Sequence, residues 1–309
     1  MLVALSAGAR ARAYCWPLKP FHRMHAIRGA FDDPRFHLDA EGAVSAFHFG
    51  VDIAARDGTR VYAVAGGYVH SYRSYVTVSR RNGREFGYWH VRPAVHTGQH
   101  VRAHQLLGWV GRGWGHVHFA ESFHGQYRNP LRRGALTPYV DHLPPVVASI
   151  GFVSGDGTGV DPSHVRGTVD VEAEVYDLPA VRLRPPWQVA RLTPAFIWWK
   201  LFRGDVPETG WTLAVDFDFA LMPQGAYQWT YAPGSYQNKP NRPGRYLFWI
   251  TRELDTRTLP DGRYRLVVLA EDTRFNAGSG ALDFTVANGA PPVPPSYAPG
   301  IVTQFRHPE

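Results

Sequence analysis

The 309-residue chain has a single cysteine, Cys15, so one copy of the chain forms no internal disulfide. It contains no apolar run of the length that a membrane-spanning helix needs. Its first half has no stretch with a sustained helical period, and no HExxH sequence, the helical zinc-protease motif, occurs anywhere. These absences exclude an internal disulfide framework and a helical membrane span.

Glycine and proline are abundant by contrast, with 31 and 25 residues, which favours many turns and short strands. Hydrophobic residues make up 44% of the chain, enough to build a packed core. The length suits two domains better than one.

Charge is unevenly distributed along the chain. Residues 1–143 carry 18 basic and 9 acidic side chains, whereas residues 144–309 carry 15 and 17. The basic excess of the first half indicates an anionic partner surface, such as nucleic acid or a bacterial cell wall. Ordinary solubility is the alternative explanation.

The first residues, MLVALSAGARARA, are apolar and rich in small side chains, and Ala11-Arg12-Ala13 has the form of a signal-peptidase site. No basic region precedes the apolar run, so the segment is typical of the end of a signal peptide or of a weak one. We therefore expect export to the cell envelope or the medium of a bacterium. Tyr14 precedes Cys15 where a lipoprotein signal has a small residue, so we do not expect lipidation.

Short strand-like runs dominate the rest of the chain, and we predict an all-β fold with antiparallel sheets. In the first half they lie at 44–55, 59–73, 75–91, 100–111 and 115–122, and Asn82-Gly83 is a hairpin signal. In the second half they lie at 146–153, 165–176, 195–203, 211–219, 246–252, 263–271 and 280–287, a pattern typical of an Ig-like β-sandwich. The predicted divisions are an irregular N-terminus or signal-peptide remnant at 1–21, a barrel-like β-domain at 22–143, the Ig-like sandwich at 144–288 and a Pro-rich tail at 289–309.

Two histidines stand two residues apart in GHVHFAE, residues 115–121. On a strand His116 and His118 share one face, and Val117 and Phe119 share the opposite, apolar face. The histidine face could bind a metal ion or transfer protons near neutral pH. A solvent-facing pair on an edge strand is the alternative.

A second pattern, His48-Phe49-Gly50-Val51-Asp52, places a histidine and an aspartate four residues apart. On a strand these two side chains share a face, with Val51 and Ile53 toward the core. A catalytic zinc ion takes three protein ligands and a water. His48 and Asp52 supply two such ligands, and either histidine of the HVH pair supplies the third.

These motifs occur in a recognisable order with Tyr88-Trp89-His90, the Gly98-Gln99-His100-Val101 turn and the LLGWVG strand between them. Over roughly residues 22–131 the chain closely resembles the lysostaphin-like, LytM-type zinc metalloendopeptidases, peptidase family M23. The resemblance implies a Zn²⁺ cofactor with the ligands His48, Asp52 and His118, and it implies that His90 and His116 flank the catalytic water. Two departures concern a short connection at residues 112–115 and Ala120, which separates Phe119 from Glu121.

The resemblance implies a zinc-dependent endopeptidase that hydrolyses peptide bonds in bacterial peptidoglycan. Without an HExxH glutamate, His90 or His116 would take the proton of the attacking water, and the sequence does not distinguish them. One alternative is a non-catalytic relative that binds the wall or activates a hydrolase. The other is an adhesin whose Ig-like half contacts the wall or a protein, with the aromatic residues of 198–199 and 227–236 either stacking on sugars or packing in the core. We expect a peptidoglycan partner, no nucleic acid and no membrane span.

Overall fold

The computed structural model describes residues 13–39, 42–289 and 303–305. They form an almost entirely β structure with antiparallel sheets, which confirms the predicted fold class. Most of the predicted export signal and most of the Pro-rich tail lie outside the described residues. Among the described residues no helix is long and apolar enough to span a bilayer.

The strands of the first half are short, as its many turn residues predict. Their bounds are β1 Ile27–Gly29, β2 Pro34–Asp39, β3 Gly42–Phe47, β4 Val51–Ala54, β5 Arg60–Tyr62, β6 Gly67–Tyr72, β7 Tyr75–Ser79, β8 Arg84–Trp89, β9 Val91–Pro93, β10 His100–Val101, β11 Leu106–Val110, β12 His116–Phe123 and β13 Gln126–Arg128.

Several of the strands that follow are longer. Their bounds are β14 Val146–Val153, β15 Gly159–Val160, β16 Thr168–Tyr176, β17 Phe196–Arg203, β18 Val206–Pro207, β19 Thr212–Asp216, β20 Leu247–Asp255, β21 Gly262–Glu271, β22 Ala277–Val286 and β23 Thr303–Phe305. Helical segments in the described chain are one α-turn, α1 Tyr227–Thr230, and 3₁₀ turns at Pro162–His164, Gln224–Ala226 and Thr256–Thr258.

The described chain divides into two compact units. The first unit is formed by residues up to 27 together with 49–140, and the second by residues 28–48 together with those from 141 onward. The predicted domain bounds of 22–143 and 144–288 remain predictions. The segment 28–48, which includes the β2–β3 hairpin, packs within the second unit, and local sequence patterns gave no sign of this.

The first unit is built around one antiparallel sheet with the order β4-β12-β8-β7-β6-β10, to which β13 adds by pairing with β12. A smaller sheet has the order β5-β11-β9. Val51 and Ile53 of β4 and Val117 and Phe119 of β12 are completely buried, as their alternation predicts. β12 therefore lies between two partners in the middle of the sheet and presents one face to the core.

The second unit contains two antiparallel sheets that share a core. One has the order β15-β14-β16-β20, and the other has the order β18-β17-β21-β22-β23 with β19 paired to β17. Side chains of both sheets, such as Val171 and Leu266, belong to one buried cluster. The unit is thus a two-sheet packing of antiparallel strands. That it is specifically Ig-like remains a prediction.

Candidate metal site

The site lies where β12 runs between β4 and β8. His118 pairs with Asp52 of β4 on one side and with Trp89 of β8 on the other. Directly paired residues on neighbouring strands point to the same face of a sheet, so the register brings the Asp52 and His118 side chains together. Both histidines of the HVH pair are buried, with 4% exposure at His116 and 5% at His118. A solvent-facing pair on an edge strand is therefore not what the fold contains.

Asp52 is the centre of the site. Its Oδ1 atom lies 3.3 Å from Nδ1 of His118 and 3.3 Å from Nε2 of His116. Two ligands of a tetrahedral zinc ion with bonds near 2.0 Å stand about 3.3 Å apart, so the Asp52 and His118 atoms have the spacing of ligand pairs. His48, Asp52 and His118 each offer one ligand atom, and these atoms all lie within 4.8 Å of one another.

His48 reaches this cluster without lying on a strand, which differs from the expected geometry. β3 ends at Phe47 and β4 begins at Val51, so the first half of the HxxxD motif is an irregular connection. Within this connection the backbone passes very close to β12 at Gly50. A Cβ atom there would lie 2.5 Å from the Phe119 carbonyl oxygen and 2.8 Å from Nε2 of His118. The chain must pass against the His118 ring, and only glycine leaves room for that approach.

The ring orientation of His48 follows from its hydrogen bonds. Its Nδ1 atom lies 2.6 Å from the Ala30 carbonyl oxygen and 2.8 Å from Nη2 of Arg35. The carbonyl oxygen only accepts and the guanidinium only donates, so the two contacts fix the position of the ring but not which nitrogen carries the proton. With the proton on Nδ1, the lone pair is on Nε2, as in metal-binding histidines whose second ring nitrogen donates to a carbonyl.

The backbone of His48 is held by two buried aspartates. Its carbonyl oxygen accepts from the Asp32 amide at 2.8 Å, and its amide donates to the Asp33 carbonyl at 3.0 Å. Asp33 in turn accepts from the Thr193 hydroxyl at 3.0 Å, and the Asp32 carbonyl accepts from the Tyr231 hydroxyl at 2.7 Å. The position of His48 is thus determined by residues far away in the sequence.

The His116 ring is oriented by the turn that precedes it. Its Nδ1 atom lies 2.8 Å from the Trp114 carbonyl oxygen, so Nδ1 carries the proton and donates it there. Nε2 therefore keeps a lone pair on the side of Asp52. A histidine in this tautomer can accept a proton at Nε2.

His90 stands beside His116 in a constrained conformation. Its φ angle of 65° lies in the left-handed region, which is uncommon for a residue with a side chain. The ring stacks on the Trp114 indole at 3.6 Å between centroids and lies 4.5 Å from the His116 ring. The Trp114 side chain is 46% exposed, so this residue lines the surface of the site and is not part of the core.

Aromatic rings surround His118 on the remaining sides. Phe49 and Trp89 meet its ring edge to face, at 4.5 and 5.1 Å between centroids. These apolar neighbours limit the access of water to the cluster and strengthen electrostatic interactions within it.

The short connection at residues 112–115 is closed by an aspartate that sequence reasoning missed. Asp57 accepts from the amide of Gly113 at 2.6 Å and from that of Gly115 at 2.9 Å. These hydrogen bonds, first that of Gly113 and then that of Gly115, hold the pKa of the Asp57 carboxyl below its usual range. The carboxylate fixes the turn whose carbonyl, at Trp114, orients His116.

We predict that Asp57→Ala lowers the turnover of any reaction at this site by about tenfold or more, because the turn that aims His116 loses both of its side-chain hydrogen bonds. Turnover and bound metal are measured together, since a positioning role lowers kcat while the metal content stays near one equivalent. Asp57→Asn keeps one acceptor oxygen and is expected to recover part of the rate. Loss of metal in either variant would contradict the positioning role.

Glu121, the residue after Ala120, stabilises the fold through buried ion pairs. Glu121 is 1% exposed and binds Arg84 Nε at 2.7 Å, Arg132 Nη1 at 2.8 Å and the Tyr14 hydroxyl at 2.7 Å. Burial by itself would raise the pKa of the Glu121 carboxyl, but the hydrogen bond and charge of Arg132, followed by the charge of Arg84, hold it below its usual range. The departure from the family pattern at 120–121 thus contributes a buried ion network beneath the sheet.

Other histidines of the first half lie away from the cluster. His96, His100 and His104 are exposed, and the His104 ring stacks on Phe21 at 4.1 Å. Among the described residues these three histidines belong to no group of candidate metal ligands.

Part of the chain is similar to known proteins. The model of peptidase family M23 matches residues 46–130, so this segment of the chain is similar to that family. Several solved structures are similar. A zinc-containing peptidase from Vibrio cholerae is 25% identical over 38% of this chain and 39% of its own, with a TM-score of 0.31.

Two further solved structures are similar to part of the chain. The catalytic domain of the prophage-encoded M23 protein EnpA from Enterococcus faecalis, in a single-substitution variant, is 27% identical over 41% of this chain and 100% of its own, with a TM-score of 0.30. A chain of the SpoIIQ–SpoIIIAH pore-forming complex is 19% identical over 39% of this chain and 89% of its own, with a TM-score of 0.33. A search of curated proteins gave no match.

Proposed function

We propose that this protein is a zinc-dependent endopeptidase that cleaves peptide bonds in bacterial peptidoglycan. The observation that supports this most directly is the convergence of His48, Asp52 and His118 on one point, with His116 and His90 beside it. Two imidazoles and one carboxylate are a donor set that zinc prefers.

His48 through Nε2, Asp52 through Oδ1 and His118 through Nδ1 would hold the ion. When bound, zinc acidifies a water molecule and polarises the scissile carbonyl. His116, with its lone pair on Nε2, accepts the proton of the attacking water and passes it to the leaving amine. His90, held against Trp114, donates to the oxygen on which negative charge develops.

The choice of peptidoglycan rests on the family and on the charge of the first half. The excess of basic residues over 1–143, 18 against 9 acidic ones, suits an anionic wall. Export to the cell envelope follows from the same proposal.

The test is mass spectrometry of fragments released from purified peptidoglycan by the full chain, alone and with a chelator. We expect new amine ends that disappear with the chelator and return with added Zn²⁺, and the fragment masses identify the bond. Zinc binding at one equivalent with no released fragment would sink the peptidase proposal in favour of a non-catalytic wall-binding relative. Release of fragments that the chelator leaves unchanged would contradict the metal.

A further inference from the structure

A groove in the second unit has no part in the proposed peptidase. Its volume is about 560 Å³, within the range of small-molecule sites. Aromatic rings of Phe36, Tyr227 and Trp249 line it together with three charged side chains, Asp156, Asp170 and Arg252. Such a mixture of ring faces and a few fixed polar groups is typical of a ligand site.

Two of the charged side chains in the groove, Asp170 and Arg252, lie at a β-bulge. Between the pairs Val169–Leu254 and Val171–Thr251, β16 has one residue, Asp170, and β20 has two, Arg252 and Glu253. Glu253 has a φ angle of 57°, and its amide donates to Oδ1 of Asp170 at 2.8 Å. Bulges redirect side chains at sheet edges, and here the strained residue turns its neighbour Arg252 toward the groove.

In the groove the Arg252 side chain is held by an ion pair and by two tryptophan rings. Its Nε atom binds Oδ2 of Asp170 at 2.8 Å, and Asp170 is 6% exposed. The guanidinium carbon lies 4.5 Å from the Trp249 ring and 5.2 Å from the Trp229 ring. An arginine fixed by a buried carboxylate and two indoles presents its remaining N–H groups in one direction, and this lowers the entropic cost of binding a ligand.

Two exposed aromatic rings lie in the lining or next to it. Phe36, in the lining, is 45% exposed, and Trp229, which is outside the lining but lies against Arg252, is 58% exposed. Aromatic residues that leave a face in water while neighbouring polar groups are fixed present an apolar platform beside hydrogen-bonding partners.

The chemistry of the groove narrows the class of ligand. Arg252 is neutralised by Asp170, and the remaining charge in the lining is the carboxylate of Asp156, so an anion finds no net attraction. A peptide that adds as a strand is blocked over the first part of β20, because Ala232 donates to the Leu247 carbonyl at 2.9 Å and Leu247 donates to the Ser235 hydroxyl at 3.1 Å. A sugar ring, in contrast, offers C–H faces for the aromatic rings and hydroxyls for the carboxylates and the guanidinium.

We propose that this groove binds a neutral oligosaccharide. The rings of Phe36 and Trp229 stack against sugar faces, and Arg252 and Asp170 select hydroxyl groups through the positions that the bulge gives them. The aromatic segment 227–236, for which the sequence leaves stacking on sugars and core packing open, then has both roles: Tyr231 is buried, and Trp229 is exposed.

The test is calorimetric titration of the full chain with two soluble probes, chitotetraose and cellotetraose, in the presence of a chelator. We expect binding of at least one probe, unchanged between low and high salt because the ligand is neutral. Phe36→Ala and Trp229→Ala are each expected to weaken binding about tenfold, the loss of one stacking contact. Trp211→Ala is the matched control, since this tryptophan is 47% exposed and lies against Lys200, whereas Trp229 lies against Arg252.

Each outcome decides the proposal. Binding of chitotetraose alone supports it and adds the acetamido group to the recognised features, whereas binding of both probes supports recognition of ring and hydroxyls. No heat with either probe at millimolar concentration overturns the proposal, and so does binding that both groove variants leave unchanged. The chelator and the peptide-free probes keep this result separate from the success or failure of the peptidase proposal.

Discussion

Replacing His116 with alanine is expected to lower the rate of peptide hydrolysis by roughly 10²–10⁴-fold while the protein keeps its metal. Replacing His118 with alanine is expected to abolish both the rate and tight metal binding. The two residues are separated by one position and are almost equally buried, so the contrast depends only on what each ring nitrogen faces. His118 has its Nδ1 3.3 Å from Asp52 within the cluster of candidate ligands, whereas His116 has its Nδ1 hydrogen-bonded to Trp114, which would leave Nε2 to accept a proton.

The measurement pairs fragment release from peptidoglycan with metal content by elemental analysis. His96→Ala is a suitable control because His96 is an exposed histidine of the same unit, and it should change neither quantity. Equal metal loss in both site variants would mean that His116 is a ligand, and the assignment of roles would then be wrong. A His116→Ala protein with undiminished activity would transfer the proton-accepting role to His90.

Glu121→Gln is expected to destabilise the first unit by roughly 3–5 kcal/mol at pH 7, although the side chain keeps its size. The substitution leaves Arg84 and Arg132, both nearly buried, without the carboxylate that compensates their charge. Breaking a buried ion pair from one side has a cost of this order. The quantity to measure is the free energy of unfolding in urea, and Glu85→Gln, at a half-exposed position on β8, provides the comparison.

The same network predicts how stability depends on pH. The pKa of Glu121 is lower in the folded protein than its usual value of about 4.3, so its stabilisation is fully present above that pH. The stabilisation is lost as the pH falls through the lower folded pKa, because the folded carboxyl must then be protonated. The difference between the original protein and Glu121→Gln should therefore be constant near neutrality and shrink below about pH 4. If the difference in unfolding free energy stays the same at pH 3, then lost packing, and not lost charge, destabilises Glu121→Gln.

Local patterns in the sequence predicted much of this molecule. The run 146–153 is a strand with those bounds, the run 263–271 differs from β21 by one residue, and Asn82-Gly83 lies in the turn between β7 and β8. Period-two alternation also places Val117 and Phe119 in the core. These features depend on neighbours a few residues away, and that is the range over which periodicity and turn residues carry information.

Local patterns did not predict the contacts between residues that are far apart in the sequence. Spacing singled out His48, Asp52, His116 and His118, but His90 and the division of roles came only from resemblance to a family. Nothing in the HxxxD pattern indicated that His48 would lie off the strand. The ion network joins Tyr14 to Glu121 across 107 positions, and the bulge at Arg252 is defined by Asp170, a residue of another strand. Pairings of this kind depend on the register of strands that meet only in the folded state.

The anchoring of His48 has a consequence for the order in which the protein matures. The aspartates that hold its backbone are themselves fixed by Thr193 and Tyr231, over sequence separations of 160 and 199 residues. A ribosome makes the segment containing Asp52 and His118 long before it reaches these partners. His48 therefore leaves the ribosome before these two partners, so the hydrogen bonds that hold its aspartates form only after residues 193 and 231 have been made.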